Sequence, residues 1–236
     1  MARNTTFGQL IEMTVIEAGM DPTPALSMNA RPLVKAAIKR EYERLYDEFD
    51  WPFLRVTEDV LTQAGQRYYD VPDTINFDRI ERVDYQWGDR WTPLDRGIDT
   101  THYNTYNSDE GERSDPLLRW DIKWTGSATQ VEIWPIPATD NMPIRFTGIR
   151  NMAPLVNDSD RCDLDDQMVT MFAAAELLAR KNAPEAQLKQ QKAVERYRLI
   201  RGRSIQTKTN GFNFSNAPKP DHNPERDVWV AYVRNP

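Results

Sequence analysis

Four stretches of the chain place hydrophobic residues at helical spacing, and two of them lie near its start. Thr6 and, three residues later, Gln9 fit a capping box, and Gly19 is a stop signal, so the pattern predicts a short amphipathic helix. Pro32 suits the first turn of a second, longer helix that ends at Trp51-Pro52. The two apolar faces consist of Phe7, Leu10, Ile11, Val15 and Ala18, and of Val34, Ile38, Tyr42, Leu45 and Phe49.

The other two helical stretches begin near Asn157. The third has Asp163 or Asp165 as its cap and ends at Asn182, and Pro184 opens the fourth. The third has an apolar face of Met168, Phe172, Ala175, Leu178 and Ala179, and the fourth a weaker one of Ala186, Ala193, Tyr197 and Ile200. The fourth is also the most basic segment, with Lys189, Lys192, Arg196, Arg198, Arg201 and Arg203.

Between these helical stretches the hydrophobic period changes from 3.6 to 2, which is typical of strands. Val56–Leu61 and Arg67–Val71 flank Ala64-Gly65, a pattern that predicts a hairpin. Further alternation occurs at Val83, Tyr85 and Trp87, at Leu118, Trp120, Ile122 and Trp124, at Val131 and Ile133, and at Ile144 and Phe146. We expect a small antiparallel β domain that a long, polar, exposed loop, roughly 95–115, interrupts.

The order of elements predicts an α+β fold. Neither helix pair is amphipathic enough to stand alone, so we expect the pairs to form a discontinuous four-helix bundle from residues 1–54 and 152–204. Residues 55–151 then form an inserted antiparallel β domain. Residues 205–236, rich in Asn, Pro and Thr and without periodicity, are predicted to be an extended C-terminal arm.

Composition excludes several classes of protein. The net charge of -6 argues against a general nucleic-acid binder, because phosphate affinity comes mainly from Lys and Arg. The longest apolar stretch, near Met168–Ala179, is interrupted by Thr170 and Glu176 and falls short of the about 18 apolar residues of a membrane span. The first residues lack the apolar core of a secretion signal. The single cysteine, Cys162, cannot form an internal disulfide and fits a reducing compartment.

Catalytic and cofactor patterns are largely missing from the sequence. The two histidines, His102 and His222, lie in the polar loop and the arm, where we expect solvated side chains rather than a catalytic pair. One cysteine and two distant histidines do not supply a zinc site. No glycine pattern matches a phosphate-binding loop. We therefore predict no catalytic residue, no metal and no cofactor.

A dense acidic stretch raises the question of a calcium or magnesium site. Counting from Asp158, an EF-hand loop would need Gly and Glu where Asp163 and Val169 stand. We therefore favour helix capping for the carboxylates, which suit the positive end of a helix. The stretch consists of Asp158, Asp160, Asp163, Asp165 and Asp166.

Tryptophans and basic residues each allow two interpretations. The tryptophans of the β segment could stack on sugars or pack in a core, and alternation along Trp120–Trp124 favours packing. The basic helix 184–203 is either a solvated face of the bundle or a stripe that meets acidic protein or DNA, and the first is commoner. The tryptophans concerned are Trp87, Trp91, Trp120, Trp124 and Trp134.

Several short phrases follow one another along the chain. They are Phe49-Asp50-Trp51-Pro52, Tyr69-Asp70-Val71-Pro72-Asp73, Ile80-Glu81-Arg82-Val83, Pro93-Leu94 and Ile133-Trp134-Pro135-Ile136-Pro137. In these phrases, their order and the order of elements, residues 5–203 resemble the head-to-tail adaptor proteins of tailed bacteriophages, also described as head completion, connector or tail-tubular-like proteins.

The resemblance implies a structural virion protein, made in the host bacterial cytoplasm, and not an enzyme. Such proteins form a ring, here expected to be a dodecamer, beneath the portal protein. The ring extends the DNA channel without binding DNA specifically and receives tail or nozzle proteins, with no membrane involved. The resemblance also implies that the arm docks onto the portal, and its apolar residues suggest the anchors: Phe212, Phe214, Val228, Trp229 and Tyr232.

Two other functions stay open at this point. One is a virion-associated cell-wall hydrolase that uses paired carboxylates beside a tryptophan platform, although 36 acidic residues mostly indicate a solvated surface. The other is a carbohydrate-binding module on a helical scaffold.

Overall fold

The computed structural model of the protein describes residues 3–21 and 30–205. Its helices are α1 (Phe7–Glu17), α2 (Arg31–Glu48), α3 (Thr100–Tyr103), α4 (Asp166–Arg180) and α5 (Glu185–Ile205), with a 3-10 turn at Pro52–Leu54. Its strands are β1 (Arg55–Leu61), β2 (Tyr68–Tyr69), β3 (Ile75–Trp87), β4 (Arg90–Pro93), β5 (Asp95–Arg96), β6 (Arg119–Trp124), β7 (Thr129–Trp134) and β8 (Pro143–Arg150). Within the described ranges, no helix is long and apolar enough to cross a membrane.

The first two helices begin and end close to the predicted residues. The hydroxyl of Thr6 accepts the backbone N–H of Gln9 at 3.3 Å, and the Gln9 side chain accepts the N–H of Thr6 at 3.2 Å. These bonds are the two halves of the predicted capping box, which is confirmed. After α2, Trp51 is fully buried and its indole N–H donates to the Leu45 carbonyl at 2.9 Å. The tryptophan thus satisfies a carbonyl at the end of α2.

The strands form two four-stranded sheets. The first sheet has the order β1-β8-β3-β4 and is antiparallel throughout. The second has the order β2-β7-β6-β5 and is mixed, because β5 pairs parallel to β6 over two residues. The predicted antiparallel segment therefore contains one parallel pair, formed by the first residues of the polar loop.

The predicted hairpin between residues 56–61 and 67–71 is wrong. β1 pairs with β8 and β2 pairs with β7, so the two stretches belong to different sheets. The turn between them is held by the segment before β8: Ala64 N–H donates to Asp140 Oδ1 at 2.6 Å, and Gly65 N–H donates to the Pro137 carbonyl at 2.9 Å. Partners distant in sequence thus replace the local pairing that turn chemistry suggested.

One glycine lets the long strand β3 cross β8. β3 is irregular between Ile75 and Arg82, where its register against β8 shifts twice. A Cβ atom at Gly148 would lie 2.7 Å from the carbonyl oxygen of Arg79 and 2.9 Å from the Ile75 side chain. Only glycine allows this approach, so the bulge in β3 depends on Gly148.

Two hydrophobic cores lie within the described residues. One is formed among the helices around Tyr42 and Trp51, and it includes Ile149 from the end of β8. The other takes residues from both sheets, including Tyr85 and Phe146 from the first and Ile133 from the second. Residues of the helical segments and of the β segment thus mostly bury their apolar surface separately.

The predicted four-helix bundle is wrong, although the α+β class agrees with the structure. Helices α1, α2 and α4 pack against one another, whereas among its described side chains α5 buries only Ala193, Tyr197 and Ile200. Toward its start α5 carries glutamines, Gln187, Gln190 and Gln191. These polar side chains cannot fill an apolar seam between helices, so α5 does not complete a four-helix bundle with α1, α2 and α4.

Candidate interaction surfaces

Two of the acidic residues before α4, Asp163 and Asp165, are used for capping and for ion pairs. The carboxylate of Asp165 accepts a hydrogen bond from the Met168 N–H at 3.0 Å, which confirms the predicted cap. It also forms an ion pair with Arg196 of α5 at 2.7 Å. Asp163 accepts hydrogen bonds from the Arg150 guanidinium at 2.5 Å and from the Ala153 N–H at 3.0 Å. This acidic segment thus connects α4 with α5 and with the end of β8.

The more exposed carboxylates of the same stretch also have partners. Asp158 forms ion pairs with Lys35 and Arg31 of α2. The hydrogen bond from Lys35 is the main cause that holds the pKa of Asp158 below its ordinary value. Two backbone N–H groups likewise lower the pKa of Asp160. Among residues 3–21 and 30–205, no three His, Cys, Asp or Glu side chains are grouped to hold a metal ion.

Residues 95–115, which we call the strap, cover one face of the second sheet. β5 and α3 lie within the strap, and its buried positions include Ile98 and Ser108. Its first residues pair with β6, and near its end Ser114 N–H donates to the Ile136 carbonyl at 2.9 Å. The prediction of an exposed loop is therefore confirmed for many positions, which are exposed, but both ends and part of the interior contact the sheet.

A buried carboxylate fastens the strap to the sheet. Glu132 of β7 is 0% exposed and accepts the hydroxyl of Tyr103 in the strap at 2.9 Å. It also pairs with Arg67 at 2.7 Å and with Lys123 at 2.8 Å. Arg67 in turn pairs with Asp109 of the strap at 2.6 Å. The network satisfies a carboxylate that would be costly to bury alone.

The cations of this network keep their charge. Burial alone would lower the pKa of Lys123, but hydrogen bonds to Glu132 and Tyr103 raise it above its ordinary value. Lys123 is therefore a charged partner and not a candidate general base.

The strap also covers an aromatic residue of the sheet. The indole N–H of Trp134 donates to the Tyr106 carbonyl at 3.0 Å, and the rings of His102 and Tyr106 approach Trp134 edge-on at 5.0 and 5.8 Å. His102 Nδ1 accepts the Asp99 N–H at 3.1 Å. The expectation of a solvated His102 is therefore wrong; His222 lies outside the described residues.

The tryptophans are divided between core and surface. Trp120 and Trp134 are buried, which confirms the packing interpretation for these two. Trp124 is 68% exposed at the end of β6, where the alternation wrongly predicted packing, and Trp87 of β3 is 42% exposed. The two exposed rings belong to different sheets, so the geometry does not favour a joint sugar platform.

The cysteine offers no nucleophile. Cys162 is buried, and that burial raises the pKa of its thiol to about 12. A thiol is reactive as the thiolate, so Cys162 is a packing residue of the helical core.

A groove opens beside the helical core, between α2 and α5. Its floor is one face of α4, and its sides include Arg44 of α2 and Val194 of α5. The guanidinium of Arg44 lies over the ring of Phe172, 4.7 Å from its centroid. The floor residues are Phe172, Ala175, Glu176 and Ala179. The groove lies where the glutamines of α5 leave the bundle open.

The basic helix has an inner and an outer set of charges. Arg196 pairs with Asp165, Lys189 pairs with Glu17, and Arg201 lies over Phe49 at 5.1 Å. These three cations bind within the chain. Lys192 and Arg198 are exposed on the same helix. The interpretation of the basic segment as a solvated face therefore applies to only part of its cations.

Buried charges in the described residues hold segments of the chain together, and exposed apolar groups and the groove offer contact surfaces. The model of the SU10 adaptor protein family matches residues 5–214, and the chain belongs to that family. This confirms the resemblance to phage head-to-tail adaptors, which are structural virion proteins. No curated protein matches the chain.

Proposed function

We propose that the protein is the head-to-tail adaptor of a tailed phage, forming a ring beneath the portal protein that extends the DNA channel and receives tail or nozzle proteins. The observation that carries the proposal is the family match over residues 5–214, which spans every described helix and strand. The network around Glu132, which uses buried charges to hold the strap, supports a structural role as well.

The charge of the chain is compatible with a DNA channel. DNA must pass through such a channel without being held, and phosphate affinity grows with the number of Lys and Arg contacts. The net charge of -6 opposes tight binding of DNA. We therefore propose passage of DNA without specific contacts.

We propose that the helical part and the β part of the chain have different roles in the ring. Residues 1–54 and 152–204 would form the helical part of the ring, and residues 55–151 would face outward or toward the tail. The two separate hydrophobic cores support this division. Residues 205–236 would bind the portal through the five predicted anchors, all of which lie outside the described residues.

Mixing the protein with the portal protein of its phage tests the proposal. We expect native mass spectrometry and electron microscopy of the mixture to show a ring stacked on the portal, in the dodecameric copy number. A chain that stays separate from the portal would contradict the adaptor function.

A variant that ends at Ile205 tests the arm separately. We expect this variant to keep the helical and β content of the full chain in circular dichroism but to lose binding to the portal. Unchanged portal binding would contradict the role of the arm and leave the ring function standing.

A further inference from the structure

One carboxylate oxygen in the groove has no partner. Glu176 Oε1 accepts hydrogen bonds from the guanidinium groups of Arg40 at 2.5 Å and Arg180 at 2.7 Å. Glu176 Oε2 is buried and accepts no hydrogen bond from any residue that the structure describes. A buried acceptor without a donor is unfavourable. Oε2 is shielded as it stands, so a partner that moves the neighbouring side chains aside and donates to it supplies the missing hydrogen bond.

The groove floor around this oxygen is apolar and small. Phe172, Ala175 and Ala179 lie on the same face of α4 as Glu176, at helical spacing. A fitting occupant therefore combines apolar side chains with one positively charged group on a narrow face.

The outward face of α5 has this composition. Leu188 is 53% exposed and Leu199 is 44% exposed, and the exposed Lys192 lies between them. Spacings of four and seven residues place the three side chains on one stripe of the helix. Lys192 makes no ion pair or hydrogen bond with the described residues, so its ammonium group is available to a partner.

The groove and the stripe face nearly opposite directions. With about 100° of rotation per residue, Gln190 and Val194 on the groove side lie roughly 160° around α5 from the Leu188–Lys192–Leu199 stripe. Two different faces on opposite sides of one subunit suit head-to-tail association, which gives a ring when the rotation closes.

We infer that the groove of one subunit binds the α5 stripe of a second copy of this chain, with Lys192 donating to Glu176 Oε2 and Leu188 covering Phe172. Both pairs are four residues apart along their helices, so the two contacts can form together. The inference rests on the proposed ring-forming function and names the contact through which neighbouring subunits join. Every copy carries both faces, so the same contact repeats around the ring.

Two full-length variants test the contact, each blocking one face. Ala179→Trp fills the groove at an exposed position, and Lys192→Glu reverses the charge of the stripe. Lys181→Glu is the matched control, because it makes the same charge change at an exposed residue off both faces. Circular dichroism and thermal unfolding establish that each variant is folded.

Analytical ultracentrifugation and native mass spectrometry give the assembly state, for the chain alone and with the portal protein. We expect each blocking variant to associate at least about tenfold more weakly than the parent, while the control assembles normally. A mixture of the two blocking variants should stop at dimers, because each pair has one intact contact and two blocked ends.

Other outcomes overturn the inference in distinguishable ways. A parent that forms rings which both variants join normally would exclude this contact but leave the adaptor function. An Ala179→Trp variant that assembles with itself but fails to bind the portal would show that the groove holds the portal instead. A parent that neither self-associates nor joins the portal would remove both the contact and the proposed ring.

Discussion

Asp165 and Glu132 are both buried carboxylates, with 1% and 0% of their surface exposed, yet they connect the chain in different ways. Asp165 binds locally, to the Met168 N–H in the first turn of α4, and has one distant partner, Arg196. Glu132 binds side chains from three other segments, Arg67, Tyr103 and Lys123. Asp165 caps α4 and binds α5 through Arg196, whereas Glu132 binds the strap to the second sheet.

The difference shows what makes a buried charge recognisable in a sequence. A cap lies three residues from the N–H group that it accepts, so local spacing indicated Asp163 or Asp165, and the structure has Asp165. The partners of Glu132 lie 65, 29 and 9 residues away along the chain, and no local pattern connects them. Glu132 was therefore counted among the solvated acidic residues.

Removing the carboxylate of Glu132 should have the largest effect. For Glu132→Ala we expect the free energy of unfolding to fall by about 3 kcal/mol, the lower end for a broken buried ion pair, because Arg67 and Lys123 remain partly exposed. Urea unfolding measures this loss. Glu132→Gln is the control, since it keeps an acceptor for Tyr103 and should lose less. Equal stability of the Ala variant and the parent would contradict the role of Glu132.

Removing Asp165 should have a smaller effect, because part of its contribution is an ordinary helix cap. We expect Asp165→Ala to lower the free energy of unfolding by about 2 kcal/mol, from the lost cap and the lost hydrogen bonds to Arg196. Asp165→Asn keeps the capping acceptor and should recover about half of the loss. If the Asn and Ala variants unfold at the same urea concentration, the cap adds nothing to the ion pair.

Loosening the strap alone should be milder still. We expect Tyr103→Phe to remove about 1 kcal/mol through its lost hydrogen bonds to Glu132. Amide hydrogen exchange should become faster in residues 98–112 and stay unchanged in the helices. Tyr106→Phe is the control, because its hydroxyl bonds to no described residue. Unchanged exchange in Tyr103→Phe would mean that ring packing, rather than the hydrogen bond to the carboxylate, holds the strap.

An exposed pair should show the smallest effect and a dependence on pH. Hydrogen bonds from Arg145 lower the pKa of Asp59 below its ordinary value. A depressed pKa stabilises the fold above the unfolded value, and this contribution disappears as the pH falls through the folded value. We expect Asp59→Asn to cost a few tenths of a kcal/mol at pH 7 and nothing at pH 2, measured as urea midpoints. A difference that persists at pH 2 would assign the effect to packing.

By itself, the sequence determined the elements whose signals are local. The capping box at Thr6 and Gln9, a cap at Asp163 or Asp165 and the alternation through Val83 and Tyr85 all depend on neighbours within a few residues. All are present, with Asp165 as the cap. The phrases from Phe49 to Pro137 also indicated the adaptor family, because order along the chain is itself a sequence property.

Tertiary structure alone decided which elements pair and which charges are buried. The apparent hairpin around Gly65 was divided between two sheets, the strap was bound by Glu132, and α5 was left at the side of three packed helices. Each outcome depends on contacts between residues far apart in sequence, where competing partners differ little in local preference. Burial of apolar surface and the pairing of buried charges then select one arrangement, and neither can be read from spacing.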